Sequence, residues 1–172
     1  MSMTMTEVVV DSVRASLISP HRMVILRDID QDRYLPIWIG SYEADSITIE
    51  LLGKTVPRPQ THDLLKLVID AMGARVSHVL VNDLRDDTFF ATIVIDMNGQ
   101  KVEVDSRPSD AISLAVRVKA PVFVADVVME QAGIVPEEGI LEMEGKGAIS
   151  EEDLSAFRDF LDSLDLDDFG SD

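Results

Sequence analysis

One predicted helix of the chain has almost no polar face, and this constrains the fold more than any other feature. The residues from Asp110 to Lys119 are apolar on nearly every side, and Ser109 before them can cap the helix. Such a helix has to be buried between layers of secondary structure. The sequence therefore predicts a layered α/β (α+β) domain.

Strand-like segments surround this helix on both sides in the sequence. They cover 7–17, 23–27, 34–39, 75–83, 88–97, 100–105 and 121–125. Further helices are predicted over 41–52 and 62–72, the second of them capped by Thr61, with a short one from 126 to 133. Asn98-Gly99 is typical of a tight hairpin, and the short turns favour antiparallel pairing. We expect a mixed, largely antiparallel sheet packed with about three helices.

The net charge of -17 is concentrated at the C-terminal end of the chain. Residues 137–172 carry 13 acidic and two basic side chains, and residues 1–136 carry only -6. This break predicts a domain over 1–136 and an acidic tail over 137–172. The tail contains a helix-spaced apolar stripe, which consists of Leu154, Phe157, Phe160, Leu161 and Leu164.

The composition excludes several kinds of site. The chain has no cysteine, so disulfides, thiolate zinc sites and cysteine nucleophiles are ruled out. Gly53-Lys54-Thr55 lacks the earlier glycine of a phosphate loop and follows a helix instead of opening one.

No segment approaches the ~20 apolar residues of a membrane span, and no secretory signal is visible. We expect a cytoplasmic protein that does not bind membranes.

Two polar segments lead directly into predicted helices. One is PRPQTHDLL, residues 57–65, and the other is DSRPSDAISLAVR, residues 105–117. Polar loops before helices are used both as helix caps and as anion or catalytic sites. His62 lies at such a junction, between Thr61 and Asp63, where a histidine can serve as general acid or base.

The second segment leaves two interpretations open. Asp110 and Arg117 lie on one face of the buried helix, and buried charges must be paired, so arginines and carboxylates can form a closed structural network. Alternatively, the carboxylates hold a divalent cation while the arginines bind phosphate. Glu43 follows the strand end at Ile39 and can join the same polar centre.

At these motifs the chain resembles the bifunctional nuclease domain family. The resemblance rests on LPIWIGSYEADSI (35–47), on the two polar segments and on the following APVFV, and it runs in order from about 8 to 135. It implies a compact α/β domain that self-associates, with nuclease activity on RNA and DNA. The acidic tail lies outside the resemblance. From the self-association that the resemblance implies, we expect a dimer. Because the acidic body lacks a basic stripe, we expect nucleic acid to bind only transiently, as substrate.

The residues at the family's motif positions, together with Arg117 on the face of the buried helix, give a first site hypothesis. The predicted catalytic residues are Glu43, His62, Asp63, Asp105 and Asp110. The predicted phosphate-binding residues are Arg58, Arg107, Ser109 and Arg117. In this hypothesis Asp105 and Asp110 hold Mg²⁺ or Mn²⁺, and His62 moves a proton. The rival hypothesis is a non-catalytic regulatory or binding module, in which the same cluster is structural or binds a small anion.

Removing the acidic tail (137–172) should leave residues 1–136 folded, because the composition changes and the family resemblance ends near Pro136. A chain that ends at Pro136 is expected to unfold cooperatively in thermal denaturation. It should also bind single-stranded oligonucleotides at low salt at least as well as the full chain, because a net charge of -11 has been removed. Insolubility of the shorter chain would assign the tail to the core, and weaker binding would contradict the electrostatic argument.

Overall fold

The computed structural model of the chain describes residues 4–15 and 20–136. These residues form seven strands and four helices. The strands are β1 (Met5–Ala15), β2 (Arg22–Asp28), β3 (Tyr34–Ile39), β4 (Arg75–Arg85), β5 (Thr88–Met97), β6 (Gln100–Ser106) and β7 (Val122–Ala125). The helices are α1 (Ser41–Leu51), α2 (Thr61–Ala71), α3 (Pro108–Val118) and α4 (Asp126–Ala132). The predicted tail helix lies outside the described residues.

The described strands form a single mixed sheet in the order β3-β2-β1-β7-β4-β5-β6. Neighbouring strands are antiparallel except β4 and β7, which are parallel. The late strand β7 therefore joins two antiparallel halves, β1–β3 on one side and β4–β6 on the other. This confirms the predicted fold class of a mixed, largely antiparallel sheet.

The burial of α3 follows from this topology. The helix connects β6, at the edge of the sheet, to β7 in the middle, so it has to cross the strands between them. It packs on β4 and β5 and is flanked by α1 and α2. Ile112 and Leu114 are fully buried in the common core with Val79, Val81 and Ile47. The sequence prediction of a buried helix is thus confirmed.

Two predicted helix caps are wrong by one or two residues. We predicted Ser109 as the cap of α3, but the cap is Arg107, because Pro108 is suited to the first helical position and needs no hydrogen-bonded N–H there. We predicted Thr61 as the cap of α2, but the cap is Gln60. The Asp63 carboxylate accepts a hydrogen bond from the Gln60 N–H at 2.8 Å, which fixes this helix start.

No helix within residues 4–15 and 20–136 is long and apolar enough to cross a membrane.

The helices α1, α2 and α3 place their polar first turns close together. The N-terminal ends of α1, α2 and α3 are contributed by sequence segments far apart in the chain, and α3 contacts both of the other helices. This arrangement positions the candidate site.

Candidate active site

A cavity of about 620 Å³ lies at the N-terminal ends of α1, α2 and α3. Its walls consist of Tyr42, Glu43, Asp45, Ser46, Ile49, Pro59, Gln60, Thr61, His62, Arg107 and Asp110. Tyr42 is 87% exposed, so the cavity has an accessible rim. The two segments singled out in the sequence therefore contribute to the same cavity, together with α1.

Short connections fix where two of these helices begin. Gly40 alone separates the end of β3 from α1, and Arg107 alone separates the end of β6 from α3. The Glu43 carboxylate folds back over Gly40, where it would collide with any Cβ atom. A glycine at position 40 thus lets Glu43 reach across to α3.

A continuous chain of hydrogen bonds crosses the cavity wall. We call it the cavity network; it consists of Glu43, Ser46, His62, Arg107 and Asp110. Ser46 Oγ lies 2.8 Å from His62 Nδ1, and His62 Nε2 lies 2.9 Å from Asp110 Oδ1. Arg107 donates from Nε to Asp110 Oδ2 and from Nη2 to Glu43 Oε1, both at 2.8 Å. Three helices contribute to one connected polar cluster.

The charge state of Asp110 determines the direction of these hydrogen bonds. Burial raises the pKa of Asp110, but hydrogen bonds from Arg107 and His62 outweigh it and hold the pKa below its ordinary value. An ionised carboxylate only accepts, so His62 Nε2 carries the hydrogen that lies between them. In the neutral imidazole, Nδ1 then accepts from the Ser46 hydroxyl. His62 is therefore arranged as a base toward Ser46.

Arg107 remains accessible although it is paired twice. Hydrogen bonds to Asp110 and then to Glu43 raise the pKa of Arg107, so its positive charge is permanent. These bonds use Nε and one terminal nitrogen, and 65% of the side chain is exposed. The guanidinium can therefore still receive an anion from the solvent side.

A buried arginine lies beneath the cavity network and connects the three helices. The Arg117 side chain, on α3, is 3% exposed. It donates to Asp63 Oδ1 on α2 at 2.6 Å, to the Ser46 carbonyl on α1 at 3.1 Å and to the Ser113 carbonyl at 2.9 Å. The Gln60 N–H and the Arg117 guanidinium lower the pKa of Asp63, against the opposing effect of burial. Arg117 and Asp63 thus form a structural ion pair.

The structure brings together four of the nine predicted site residues. Glu43, His62, Arg107 and Asp110 line the cavity. Asp63, Ser109 and Arg117 lie at the same helix starts or beneath them but do not line it, and Ser109 and Arg117 are buried. Asp105 is exposed on β6 and Arg58 is exposed in the loop before α2; neither lines the cavity.

The carboxylates do not fit the predicted metal site. Both oxygens of Asp110 already accept hydrogen bonds from protein side chains, and Asp105 is not a wall residue. Within residues 4–15 and 20–136, no group of three or more His, Cys, Asp or Glu side chains is arranged to hold a metal ion. We therefore derive no catalytic step through a metal.

The sequence reasoning missed Ser46 and Tyr42. Ser46 follows Glu43 by three residues and so shares its helical face, which is the signal that could have identified it. It is a buried polar residue next to the buried Ala44 and Ile47. Tyr42 carries no such signal, because its position at the rim depends on how α1 meets the other helices.

The polar cluster of the three helix starts is partly a closed structural network and partly an open site. Within the described residues, each charged member of the cavity network has a partner of opposite charge or a hydrogen-bonding partner. The network nevertheless lines an open cavity and is not enclosed. The closed-network interpretation therefore applies to Arg117 and Asp63, whereas the cavity network is accessible to a ligand.

Comparisons with known proteins identify the family of the chain. The family model of the bifunctional nuclease domain matches residues 24–137. The chain belongs to the bifunctional nuclease domain family. It is 40% identical to an uncharacterized protein of Mycobacterium tuberculosis over 96% of this chain and 98% of that protein. The wall residues of the cavity all fall inside the matched residues.

Plant members of the bifunctional nuclease domain family are more distant. The chain is 31% identical to Bifunctional nuclease 2 of Arabidopsis thaliana and 28% identical to Bifunctional nuclease 1 of Oryza sativa subsp. indica. Each alignment covers 62% of this chain and 33% of the plant protein. The similarity to these nucleases is thus confined to the domain.

Replacing Asp110 should destabilise the fold. In Asp110→Ala, Arg107 and His62 lose a shared acceptor, and we expect the free energy of unfolding to fall by about 1–3 kcal/mol. The exposed Asp105→Ala variant is the control and should stay within about 0.5 kcal/mol of wild type. Chemical denaturation measures both; an unchanged value for Asp110→Ala would show that the hydrogen bonds to Asp110 contribute nothing to stability.

The Asp63–Arg117 pair should make stability depend on acid pH. Because the pKa of Asp63 is lowered in the folded state, its contribution is fully present above the unfolded value of about 3.9 and is lost as the pH falls through the folded value. Asp63→Asn should cost roughly 1–3 kcal/mol at pH 7, and this cost should shrink below about pH 4. Asp70→Asn, on the exposed side of α2, is the control. A cost that does not change with pH would contradict the assignment.

Proposed function

We propose that the cavity is the active site of a phosphodiester hydrolase that acts on RNA and DNA. The single observation that carries this proposal is the position of His62 in the cavity wall, held between Ser46 and an ionised Asp110. A histidine oriented by a carboxylate is a common general base in hydrolases. Family membership supports the nuclease assignment, since the named plant relatives are nucleases.

The cavity network supplies the groups that such a reaction needs. His62 accepts a proton on the side that faces Ser46, and the Asp110 carboxylate stabilises the imidazolium that forms. Arg107 binds the non-bridging oxygens of the phosphodiester and stabilises the charge that develops on them. Glu43 and Asp110 orient the Arg107 guanidinium through its two hydrogen bonds.

The charge of the walls supports a weakly held substrate. They contain three carboxylates, on Glu43, Asp45 and Asp110, and one guanidinium. Arg58 is exposed and adjacent to the wall residue Pro59, so it can add a second positive charge when a nucleic-acid strand lies along the rim. This balance favours transient contact with substrate over stable binding. The expected cytoplasmic location and dimeric state belong to the same proposal.

A second candidate, a non-catalytic module that binds a small anion, is favoured by one observation. Arg107 is paired with both Asp110 and Glu43. Such a closed arrangement also suits a structural or regulatory cluster. The two candidates differ in whether His62 contributes to a reaction.

Nuclease activity should depend on His62. Wild-type protein, purified to homogeneity, is assayed on single-stranded RNA and DNA with and without EDTA. We expect His62→Gln to lower the hydrolysis rate by about 10²- to 10⁴-fold, the usual contribution of a general base. The double variant His62→Gln/Asp110→Asn should be equally inactive.

His78→Gln is a matched control. His78 also contacts a serine hydroxyl, at 3.1 Å from Ser77 Oγ, but it lies on β4 and is not a wall residue. This variant should keep wild-type activity. Equal activity in wild type and in the double variant would mean a contaminating nuclease or a different site, and an inactive wild-type protein would favour the non-catalytic candidate. Loss of activity in EDTA would show that a metal ion takes part.

A further inference from the structure

We propose that Ser46 is the nucleophile of this site and forms a covalent phosphoserine intermediate with the nucleic-acid strand. The inference rests on the proposed phosphodiester hydrolase and adds to it a two-step reaction course. Ser46, His62 and Asp110 are connected in this order by hydrogen bonds of 2.8 and 2.9 Å. This is the set of groups by which hydrolases activate a serine hydroxyl.

The first argument concerns what His62 can reach. Both of its ring nitrogens have protein partners, since Nε2 bonds to Asp110 and Nδ1 to Ser46. His62 is also 7% exposed. A water molecule could be activated directly only after one of these hydrogen bonds had broken. The Ser46 hydroxyl already occupies the position from which His62 can take a proton, and Ser46 is a wall residue of the cavity.

The second argument compares Ser46 with other hydroxyl residues in the helices. Thr48 donates to the Ala44 carbonyl at 2.8 Å, and Ser113 donates to the Ser109 carbonyl at 2.7 Å. Both follow the usual pattern of a helical hydroxyl bonded to the carbonyl four residues earlier. The Ser46 hydroxyl is instead directed to the His62 side chain. A residue with a purely local role in the helix would not need this orientation.

The third argument is that the backbone of Ser46 is held in place. Its carbonyl accepts a hydrogen bond from the buried Arg117, which also binds Asp63 on the helix that carries His62. The separation of the serine and the histidine is therefore set by the contacts of a buried arginine and not by fully exposed side chains. Such fixed positioning is what makes an intramolecular proton transfer efficient.

In the first step, Ser46 Oγ attacks the phosphorus atom and gives its proton to His62 Nδ1. A phosphorus–oxygen bond of the strand breaks, and the leaving oxygen takes that proton from the imidazolium. One half of the strand is released as an alcohol, and the other is joined to Ser46 as a phosphodiester. In the second step, water attacks phosphorus, His62 takes a proton from it, and the bond to Ser46 Oγ breaks as the serine regains a proton. The net reaction consumes one water molecule.

The stereochemistry at phosphorus tests this course in the wild-type protein. The substrate is a short oligonucleotide with one phosphorothioate linkage of defined configuration, hydrolysed in ¹⁸O-labelled water. Two successive displacements give overall retention, which is the expected result. Inversion would mean direct attack by water; it overturns the covalent intermediate and leaves the nuclease proposal standing. Absence of hydrolysis of the same oligonucleotide without the phosphorothioate overturns both.

Variants provide a second, independent measurement. Ser46→Ala should lower the hydrolysis rate by about 10³-fold or more, and Ser46→Ala/His62→Gln should be no slower, because the two groups act as a unit. Ser113→Ala, which removes another buried helical hydroxyl, is the matched control and should retain activity. Thermal unfolding checks that each variant is folded. A folded Ser46→Ala protein with wild-type activity would overturn the proposal.

Discussion

The contact on which the site most depends is the one made by a buried guanidinium. Arg117 lies inside α3, and its donors reach a carboxylate on α2 and a backbone carbonyl on α1. A buried charge is tolerated only when it is paired and hydrogen-bonded, because removing a partner leaves an uncompensated charge in the interior. This requirement fixes the relative positions of the three helices. The hydrogen bonds of the cavity network, which join the same helices, can be short because that packing is already set.

The three helices share a pattern that explains why structural and functional interpretations are hard to separate. Glu43, Asp63 and Asp110 each occupy the third position of their helix, counted from caps at Gly40, Gln60 and Arg107. A carboxylate there is favourable in any helix, because it faces the positive end of the helix dipole. Where three helix starts converge, the same carboxylates are also brought within reach of an arginine and a histidine. In this fold the features that stabilise helix ends also assemble the site.

Much of the fold could be predicted from the sequence, because its signals are local. The alternating strands, the Asn98-Gly99 turn and the apolar α3 identify the elements, and the crossing from β6 to β7 explains the burial of α3. The site could be predicted only in part. His62 and Asp110 lie in recognisable motifs, but Ser46 resembles any helical serine until the orientation of its hydroxyl is known. The sequence also could not distinguish the exposed Arg107 from the buried Arg117, because their exposure depends on tertiary packing.

The uneven charge of the cavity walls has a consequence for how the protein responds to ionic strength. Basic grooves that bind nucleic acid gain affinity by releasing counterions from many phosphates. Each phosphate that is neutralised on a single strand contributes about -0.7 to the slope of log affinity against log salt concentration. Here a single guanidinium faces three carboxylates in the walls. For the proposed nucleic-acid substrate, few counterions would be displaced, so the affinity for a strand would change little between dilute and physiological salt. Recognition would depend on the shape of the cavity and the fit of one phosphate more than on long-range attraction.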